Sequence, residues 1–176
     1  MAVLVFARQG LGAARHAAIA REAGVAVSTV FLYFPTREVL VDAVLSEVER
    51  FYLILCERAF AGSGPAPARL EALAHAYLAS LERDLPHALV WLDWSTCFRE
   101  HVWRRFLGFM DGVVGRCEQV IREGQAAGTI PAGRDPRAVA RLFVGSATLF
   151  VHLKLTGAAA EEIERFSRTV IAAAVG

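Results

Sequence analysis

The chain has 176 residues, of which 55% are hydrophobic and 21% are charged, and its net charge is +1. This composition is that of a globular protein and excludes a disordered chain. The net charge gives no sign of nucleic-acid binding, so charge has to be compared between segments. Up to Arg37 arginine outnumbers acidic residues, of which there is only Glu22, and this is weak evidence for a surface that faces phosphate.

Apolar residues recur at the helical period through almost the whole chain, which predicts an all-α fold. The first predicted helix starts on apolar residues without a cap, and Gly10 and Gly12 end it. Such a start suggests that preceding residues are missing from the sequence given. Two short helices follow at about 16–23 and 27–34, and Gly24 permits the turn between them.

A long fourth helix and a helical body are predicted after Pro35. Thr36 is a suitable N-cap for a helix that runs to about residue 60, and the Gly- and Pro-containing segment 61–68 is the one clear linker. The predicted body helices are 69–83, a segment opened by Pro86, 100–127, 135–156 and 159–175. Asp135-Pro136 gives an N-cap and a first helical residue, and Gly157 gives a stop.

No motif in the chain indicates an enzyme. There is no Ser/His/Asp arrangement, no Gly-rich phosphate loop and no metal-ligand cluster, so we expect no catalytic activity, no cofactor and no metal. The 3 cysteines have no metal-ligand spacing and fit small hydrophobic residues in a reduced, cytoplasmic protein. The uncharged apolar stretch at 142–151 is shorter than the roughly 20 residues of a membrane span, so no membrane partner is expected.

Residues 15–34 fit a DNA-reading helix-turn-helix, which needs an apolar inner face and a second helix with a free outer face. Ile19, Val30 and Phe34 are predicted to face inward, with Val25 filling the gap between the helices. The alternative is an ordinary corner between two helices, which the spacing alone does not exclude. The side chains predicted to face outward are Ser28, Thr29, Leu32 and Tyr33.

Three segments carry a resemblance to a known family. The run IAREAGVAVSTVFLYFPTREVLVDAVL, from Ile19 to Leu45, resembles the signature of the TetR family of repressors. With VWLDWSTCFREHVW (90–103) and ARLFVG (140–145), the chain resembles more narrowly the Vibrio quorum-sensing master regulator branch (LuxR/HapR/SmcR-like). The resemblance implies a nine-helix TetR-type fold in which a DNA-binding domain, 1–37, precedes a ligand-binding and dimerisation domain, 38–176. It also implies a homodimer that binds an inverted-repeat DNA operator.

The resemblance also assigns site residues by position. The predicted DNA-binding residues are Arg15, His16, Ser28, Thr29, Leu32, Tyr33 and Arg37. The resemblance places His16, Tyr33 and Arg37 at phosphates, and Arg15 is added because it lies at a helix start, where main-chain N–H groups favour phosphate. An apolar small-molecule effector would contact the predicted ligand-binding residues Tyr52, Leu55, Trp91, Trp94, Phe106, Met110 and Ala147. For most of these, core packing is the alternative. The last two predicted helices carry apolar stripes at helical spacing, and the family dimerises there, so the predicted dimer-interface residues are Phe143, Phe150, Val151, Ile163, Phe166 and Val170. The alternative is that these helices cap a monomeric core.

Two residues depart from the family pattern, and the arm that precedes the first helix in the family is missing from the sequence given. Ala26 stands where the family commonly has a capping serine. Leu32 stands where the resembled branch has Asn. Asn can read adenine, whereas Leu can only touch a thymine methyl group or pack on sugar. We therefore expect a different operator preference from that branch. These departures keep open a second function, that of a small-molecule-binding helical protein with weak or lost DNA binding.

Overall fold

The computed structural model describes residues 1–176, which form nine α-helices and no β-strand. The predicted all-α, nine-helix fold is therefore confirmed. The helices are, in chain order, α1 (Ala2–Ala13), α2 (His16–Ala23), α3 (Val27–Tyr33), α4 (Arg37–Phe60), α5 (Ala66–Arg83), α6 (Leu85–Ser95), α7 (Glu100–Ala126), α8 (Pro136–Leu155) and α9 (Ala160–Val175).

The predicted helix ends are confirmed where the sequence carries capping residues. Gly24 adopts φ 67° and ψ 30° after α2, and Gly157 adopts φ 73° after α8, a conformation that glycine reaches without strain. The Thr36 hydroxyl accepts a 3.3 Å hydrogen bond from a main-chain N–H in the first turn of α4. The Asp135 carboxylate does the same for α8 at 3.0 Å.

Two boundaries differ from the prediction. The linker is shorter than 61–68 because α5 already begins at Ala66, and a proline in a first helical turn loses no intrahelical hydrogen bond. Helix α6 begins at Leu85, one residue before the predicted opening at Pro86, and ends at Ser95 with Thr96 as its C-cap.

The chain divides into two compact units. The first contains residues 1–52 and 84–106, and the second contains residues 53–83 and 107–176. Within the first unit α1 packs on α6 and α2, and α2 packs on α3. The predicted DNA-binding segment 1–37 falls inside the first unit, and its boundary with a body domain at 38 stays a prediction.

A break in α1 creates the main polar contact of the first unit. Gly10 has φ 79° and ψ 161°, which interrupts the helix and frees the main-chain N–H of Leu11. That N–H donates a 2.5 Å hydrogen bond to Asp93 Oδ2, on α6. A Cβ atom on residue 10 would lie 3.4 Å from the same oxygen, so a side chain would be tight there as well as strained in φ. The break and the Asp93 carboxylate therefore fit one another.

In the second unit α5, α8 and α9 pack together around an apolar core. Cys56 and Cys117 are buried in it as free thiols, as expected of small hydrophobic residues. Burial raises the pKa of Cys56 to about 11, and burial also raises the pKa of Cys117. Both thiols therefore stay protonated at neutral pH.

Helix α8 is long and apolar enough to cross a membrane by length and composition, with a mean hydropathy of 1.4. This finding is weak evidence, because the core helix of a globular protein passes the same test. Only 33% of the apolar window is buried, so much of its apolar surface is left for another contact.

Gly124, in α7, provides a sharp test of the packing in the second unit. A Cβ atom there would lie 2.7 Å from Ala66 Cβ and 2.8 Å from the side chain of Ile130, closer than any real Cβ contact. We expect Gly124→Ala to lower the free energy of unfolding by about 1–3 kcal/mol in urea denaturation. The matched control is Gly115→Ala in the same helix, where a Cβ meets nothing within 4 Å and should raise stability by about 1 kcal/mol. Equal effects of the two substitutions would contradict the packing.

Candidate nucleic-acid interface

Helices α2 and α3 form a short helix-turn-helix in the first unit. Ile19 and Val30 are buried on the facing sides of the two helices, and Gly24 turns the chain between them. The N–H of Val25 donates to the Ala20 carbonyl at 3.0 Å, which closes the end of α2. The arrangement fixes the angle of α3 through its inner face and leaves its outer face free.

The outer face of α3 is almost fully exposed. Val30 is the only buried residue of the helix, while Leu32 is 77% exposed and Tyr33 is 70% exposed. Ser28 and Thr29 are also exposed, so the structure brings all four predicted outward side chains to one surface. Such a free, protruding helix face is what insertion into a DNA groove requires.

Two residues near the turn differ from the sequence prediction. Val25 does not fill the gap between α2 and α3, because its side chain is 44% exposed, whereas Ile19 and Val30 are buried. Ala26 is the N-cap of α3 and provides no side-chain hydrogen bond, as its methyl group dictates. The first turn of α3 therefore has main-chain N–H groups without a side-chain partner from the cap.

His16, expected at a phosphate, lies inside the helix-turn-helix. The side chain is buried, its ring stacks on Phe31 with centroids 4.0 Å apart, and Nε2 lies 2.7 Å from the Phe34 carbonyl oxygen. Because a carbonyl can only accept, Nε2 carries the proton and donates. His16 thus joins α2 to the end of α3 inside the helix-turn-helix. Contact with a phosphate is therefore left to its exposed neighbours. The sequence shows that residue 16 is polar, but it does not show that the side chain is buried with the Phe34 carbonyl oxygen as its partner.

Two predicted phosphate-binding arginines meet at the end of α1. Arg15 Nη1 donates to the Gly12 carbonyl oxygen at 2.9 Å, and Arg37 Nη2 donates to the same oxygen at 3.0 Å. Arg37 also donates to the Leu11 carbonyl oxygen. Each guanidinium has five N–H donors, so donors remain for an anion after these contacts. The pair therefore forms a positive surface at the junction of α1, α2 and α4.

A third arginine at this junction was missed by sequence reasoning. Partial burial, followed by the charges of Arg15 and Arg99, lowers the pKa of the Arg37 guanidinium from its ordinary value. Arg99 lies on the segment between α6 and α7, far from the helix-turn-helix in the chain, and no motif points to it. Its exposed side chain adds positive charge to the region that holds Arg37.

The predicted ligand-binding residues divide between the two units. In the first unit Tyr52, Trp91, Trp94 and Phe106 are all buried. The Phe106 ring lies 5.4 Å from the Trp94 ring and 6.3 Å from the Trp91 ring, and the Trp94 indole N–H donates to a main-chain oxygen at 2.9 Å. These rings form a buried aromatic cluster, an arrangement that fits core packing, the alternative to a ligand-binding role.

The other three predicted ligand-binding residues belong to the second unit and are half-buried: Leu55, Met110 and Ala147. The Tyr77 hydroxyl donates to the Ala147 carbonyl oxygen at 3.1 Å, and burial raises the pKa of that hydroxyl. The assignment of all these residues to one effector cavity stays a prediction.

Helices α8 and α9 carry the predicted dimer residues at two different depths. Phe143, Phe150 and Val151 are buried within the unit, and the Phe150 ring packs on Phe166 at 4.9 Å. Ile163, Phe166 and Val170 are half-buried. Sequence periodicity identified apolar stripes on both helices; the α8 residues of the stripe are buried within the subunit, another apolar side of α8 is exposed, and the dimer interface stays a prediction.

The exposed apolar side of α8 carries Leu142 and Leu149, which are 75% and 50% exposed. A shallow groove of about 190 Å³ lies beside Leu142, between α8 and α9. Its lining includes Phe143, Thr169, Val170 and Ala173. Two of the predicted dimer residues, the buried Phe143 and the half-buried Val170, therefore line this groove.

Solved structures of bacterial regulators share this fold. The transcriptional regulator FadR from Bacillus subtilis, solved with stearoyl-CoA, has a TM-score of 0.82 and 21% identity, covering 99% of this chain and 94% of that chain. The fatty acid degradation regulator FadR from Bacillus halodurans has a TM-score of 0.84 and 18% identity, with coverages of 99% and 91%. A putative transcriptional regulator from Saccharomonospora viridis, solved with choline, has a TM-score of 0.82 and 19% identity, with coverages of 96% and 88%.

Sequence comparison identifies the family. The model of bacterial regulatory proteins of the tetR family matches residues 1–44, which contain the helix-turn-helix. The HTH-type transcriptional regulator LuxR from Vibrio harveyi is 33% identical over 150 residues, which cover 82% of this chain and 71% of that protein. With the helix-turn-helix and the nine-helix fold in place, the chain belongs to the TetR family of bacterial transcriptional regulators.

Proposed function

We propose that this regulator binds an inverted-repeat DNA operator as a homodimer and responds to an apolar small molecule. The observation that carries the DNA-binding part is the exposed outer face of α3 beside the arginine pair on Gly12. Ser28, Thr29 and Leu32 would meet base edges in the major groove, while Tyr33 and the two arginines would meet phosphates.

Salt dependence tests the phosphate contacts. Arg15→Ala removes one exposed guanidinium per subunit, so fewer counterions are released on binding. We expect the slope of log affinity against log salt concentration to fall by about one for each phosphate that the protein no longer neutralises, with all sequences weakened alike. Electrophoretic mobility shift at several salt concentrations measures it.

The matched control is Arg58→Ala, which removes the same charge from an exposed residue in the second unit. Its slope should equal that of the unaltered protein. Equal salt-dependence slopes for the two variants would show that Arg15 does not contact a phosphate.

The homodimer is supported by the exposed apolar side of α8. Leu142 and Leu149, seven residues apart, form a stripe along α8, and the groove beside Leu142 could receive an apolar side chain from the equivalent helix of a second copy. A two-fold axis makes such a contact self-complementary, because each copy presents both the side chain and the groove. Burying this stripe also accounts for the high hydropathy of α8.

Charge placed in this stripe should separate the subunits. We expect Leu142→Glu to shift the protein toward monomer in sedimentation velocity and to weaken binding to an inverted repeat far more than to a single half-site. Val39→Glu introduces the same charge at an exposed apolar residue of α4 and should leave the sedimentation coefficient unchanged. A dimeric Leu142→Glu protein would exclude this surface.

An apolar effector is supported by a neighbour of the same fold solved with stearoyl-CoA, whose acyl chain is apolar. A ligand acts allosterically when it binds better to one of two conformations, and here the disfavoured one would hold the α3 helices at the operator spacing. Helix α4 would be the lever, because it contributes residues to both units and begins beside the helix-turn-helix. In the first unit the Arg105 guanidinium, on α7, donates two hydrogen bonds of 2.8 Å to the Glu49 carboxylate on α4.

Tryptophan fluorescence reports on effector binding, because all 3 tryptophans lie between residues 91 and 103. We expect stearoyl-CoA to change the emission and to lower operator affinity, while choline does neither. Met110→Glu should abolish the response by placing a charge among apolar groups. The control is Leu107→Glu, at an exposed residue of the same helix. A response to choline alone would contradict an apolar effector.

A small-molecule-binding protein with weak or lost DNA binding is the second candidate. It is favoured by the missing side-chain cap at Ala26 and by the apolar Leu32 on the outer face of α3. A ligand response without any salt-dependent shift of upstream DNA would favour this second function.

A further inference from the structure

The outer surface of the helix-turn-helix is apolar to an unusual degree for one that faces DNA. From Gly24 to Thr36 the chain contains no Arg, Lys, Asn, Gln, Asp or Glu. The exposed side chains there include Val25, Val27, Phe31 and Leu32, with exposed fractions of 44%, 41%, 47% and 77%. The side chains that normally distinguish guanine, adenine and cytosine by bidentate or directed hydrogen bonds are therefore absent from α3.

An aliphatic side chain in the major groove can recognise only one base feature, the methyl group on C5 of thymine. Leu32 is the most exposed apolar residue of α3, and its two terminal methyl groups are free to make that contact. The C5 methyl group of 5-methylcytosine projects into the major groove from the same ring position. Leucine cannot detect the O4 acceptor of thymine or the N4 donor of cytosine, so the methyl group is all that it senses.

The hydroxyl groups of α3 do not restore the distinction. Ser28 and Thr29 are exposed, and each hydroxyl can both donate and accept a hydrogen bond. The same side chain can therefore satisfy the O4 acceptor of thymine or the N4 donor of cytosine. Neither residue forces a choice between a thymine and a methylated cytosine next to Leu32.

We propose that α3 reads pyrimidine C5 methyl groups through Leu32, so that the protein distinguishes methylated from unmethylated cytosine in its operator. The proposal rests on the proposed function, because it requires α3 to enter the major groove. It adds that cytosine methylation at a contacted position would strengthen binding, since the added methyl group supplies the contact that Leu32 makes. Burial of one methyl group is worth about fourfold in affinity, and about fifteenfold when both half-sites of a two-fold operator carry it.

Pairs of duplexes that differ only by methyl groups test this directly. The full chain is first used to select operators from random duplexes, and each selected thymine is then replaced by deoxyuridine, which keeps every hydrogen-bonding group. We expect about fourfold weaker binding per half-site at the position that Leu32 contacts, and about fifteenfold for both. At the same position, a 5-methylcytosine–guanine pair should bind more tightly than a cytosine–guanine pair by the same factor.

Two variants assign the effect to its residue. Leu32→Ala removes an exposed side chain, so folding should be retained, and it should bring both affinity ratios close to one. Tyr33→Ala, at an equally exposed neighbour, should weaken all duplexes alike and keep both ratios. Circular dichroism melting checks that both variants are folded.

The outcomes separate the two levels of the proposal. Ratios near one for the unaltered protein, with specific operator binding, would overturn methyl recognition and leave the proposed function standing. Ratios that persist in Leu32→Ala would overturn the assignment to Leu32. Failure to select any duplex above background would overturn the proposed function and methyl recognition with it.

Discussion

The hydrogen bond between the Leu11 N–H and the Asp93 carboxylate holds together the part of the molecule that positions α3. The break at Gly10 frees that N–H, and a buried donor without a partner costs about 1–3 kcal/mol. Directly after the break, the carbonyl oxygens of residues 11 and 12 accept from Arg15 and Arg37. A segment of a few residues thus ties α6 to the starts of α2 and α4, and any movement of α6 would reach the helix-turn-helix through it.

Local chemistry explains how much of the fold could be predicted. Thr36, Asp135 and Gly157 act on main-chain groups only a few residues away, so their effect is visible in the sequence. The Leu11–Asp93 contact joins residues 82 positions apart, and Gly10 read alone indicates only a helix end. The sequence therefore predicts that α1 is interrupted but not what makes the interruption stable.

The same limit applies to the candidate site. Helical periodicity placed Ser28, Thr29, Leu32 and Tyr33 correctly on the outer side of α3, because a short helix with one buried residue has only one inner face. On α8 the helical period could not decide which apolar side faces the core, since the helix is apolar on two sides. One of these sides faces the core of the unit and the other is exposed. His16 shows the remaining gap, because polarity alone does not reveal a buried ring with a carbonyl acceptor.

The surface of the helix-turn-helix separates affinity from specificity. Positive charge lies at the edges, on Arg15, Arg37 and Arg99, where it would attract any phosphate backbone regardless of sequence. The centre, α3, has no charge and offers only methyl groups and hydroxyls. The weak methyl contacts proposed for α3 would give small discrimination for each base pair, so doubling them across the two-fold axis of the proposed homodimer would matter more than for a helix with bidentate side chains. The exposed apolar stripe of α8 and the apolar face of α3 would then serve the same end, because the proposed recognition by α3 would depend on two copies being held together.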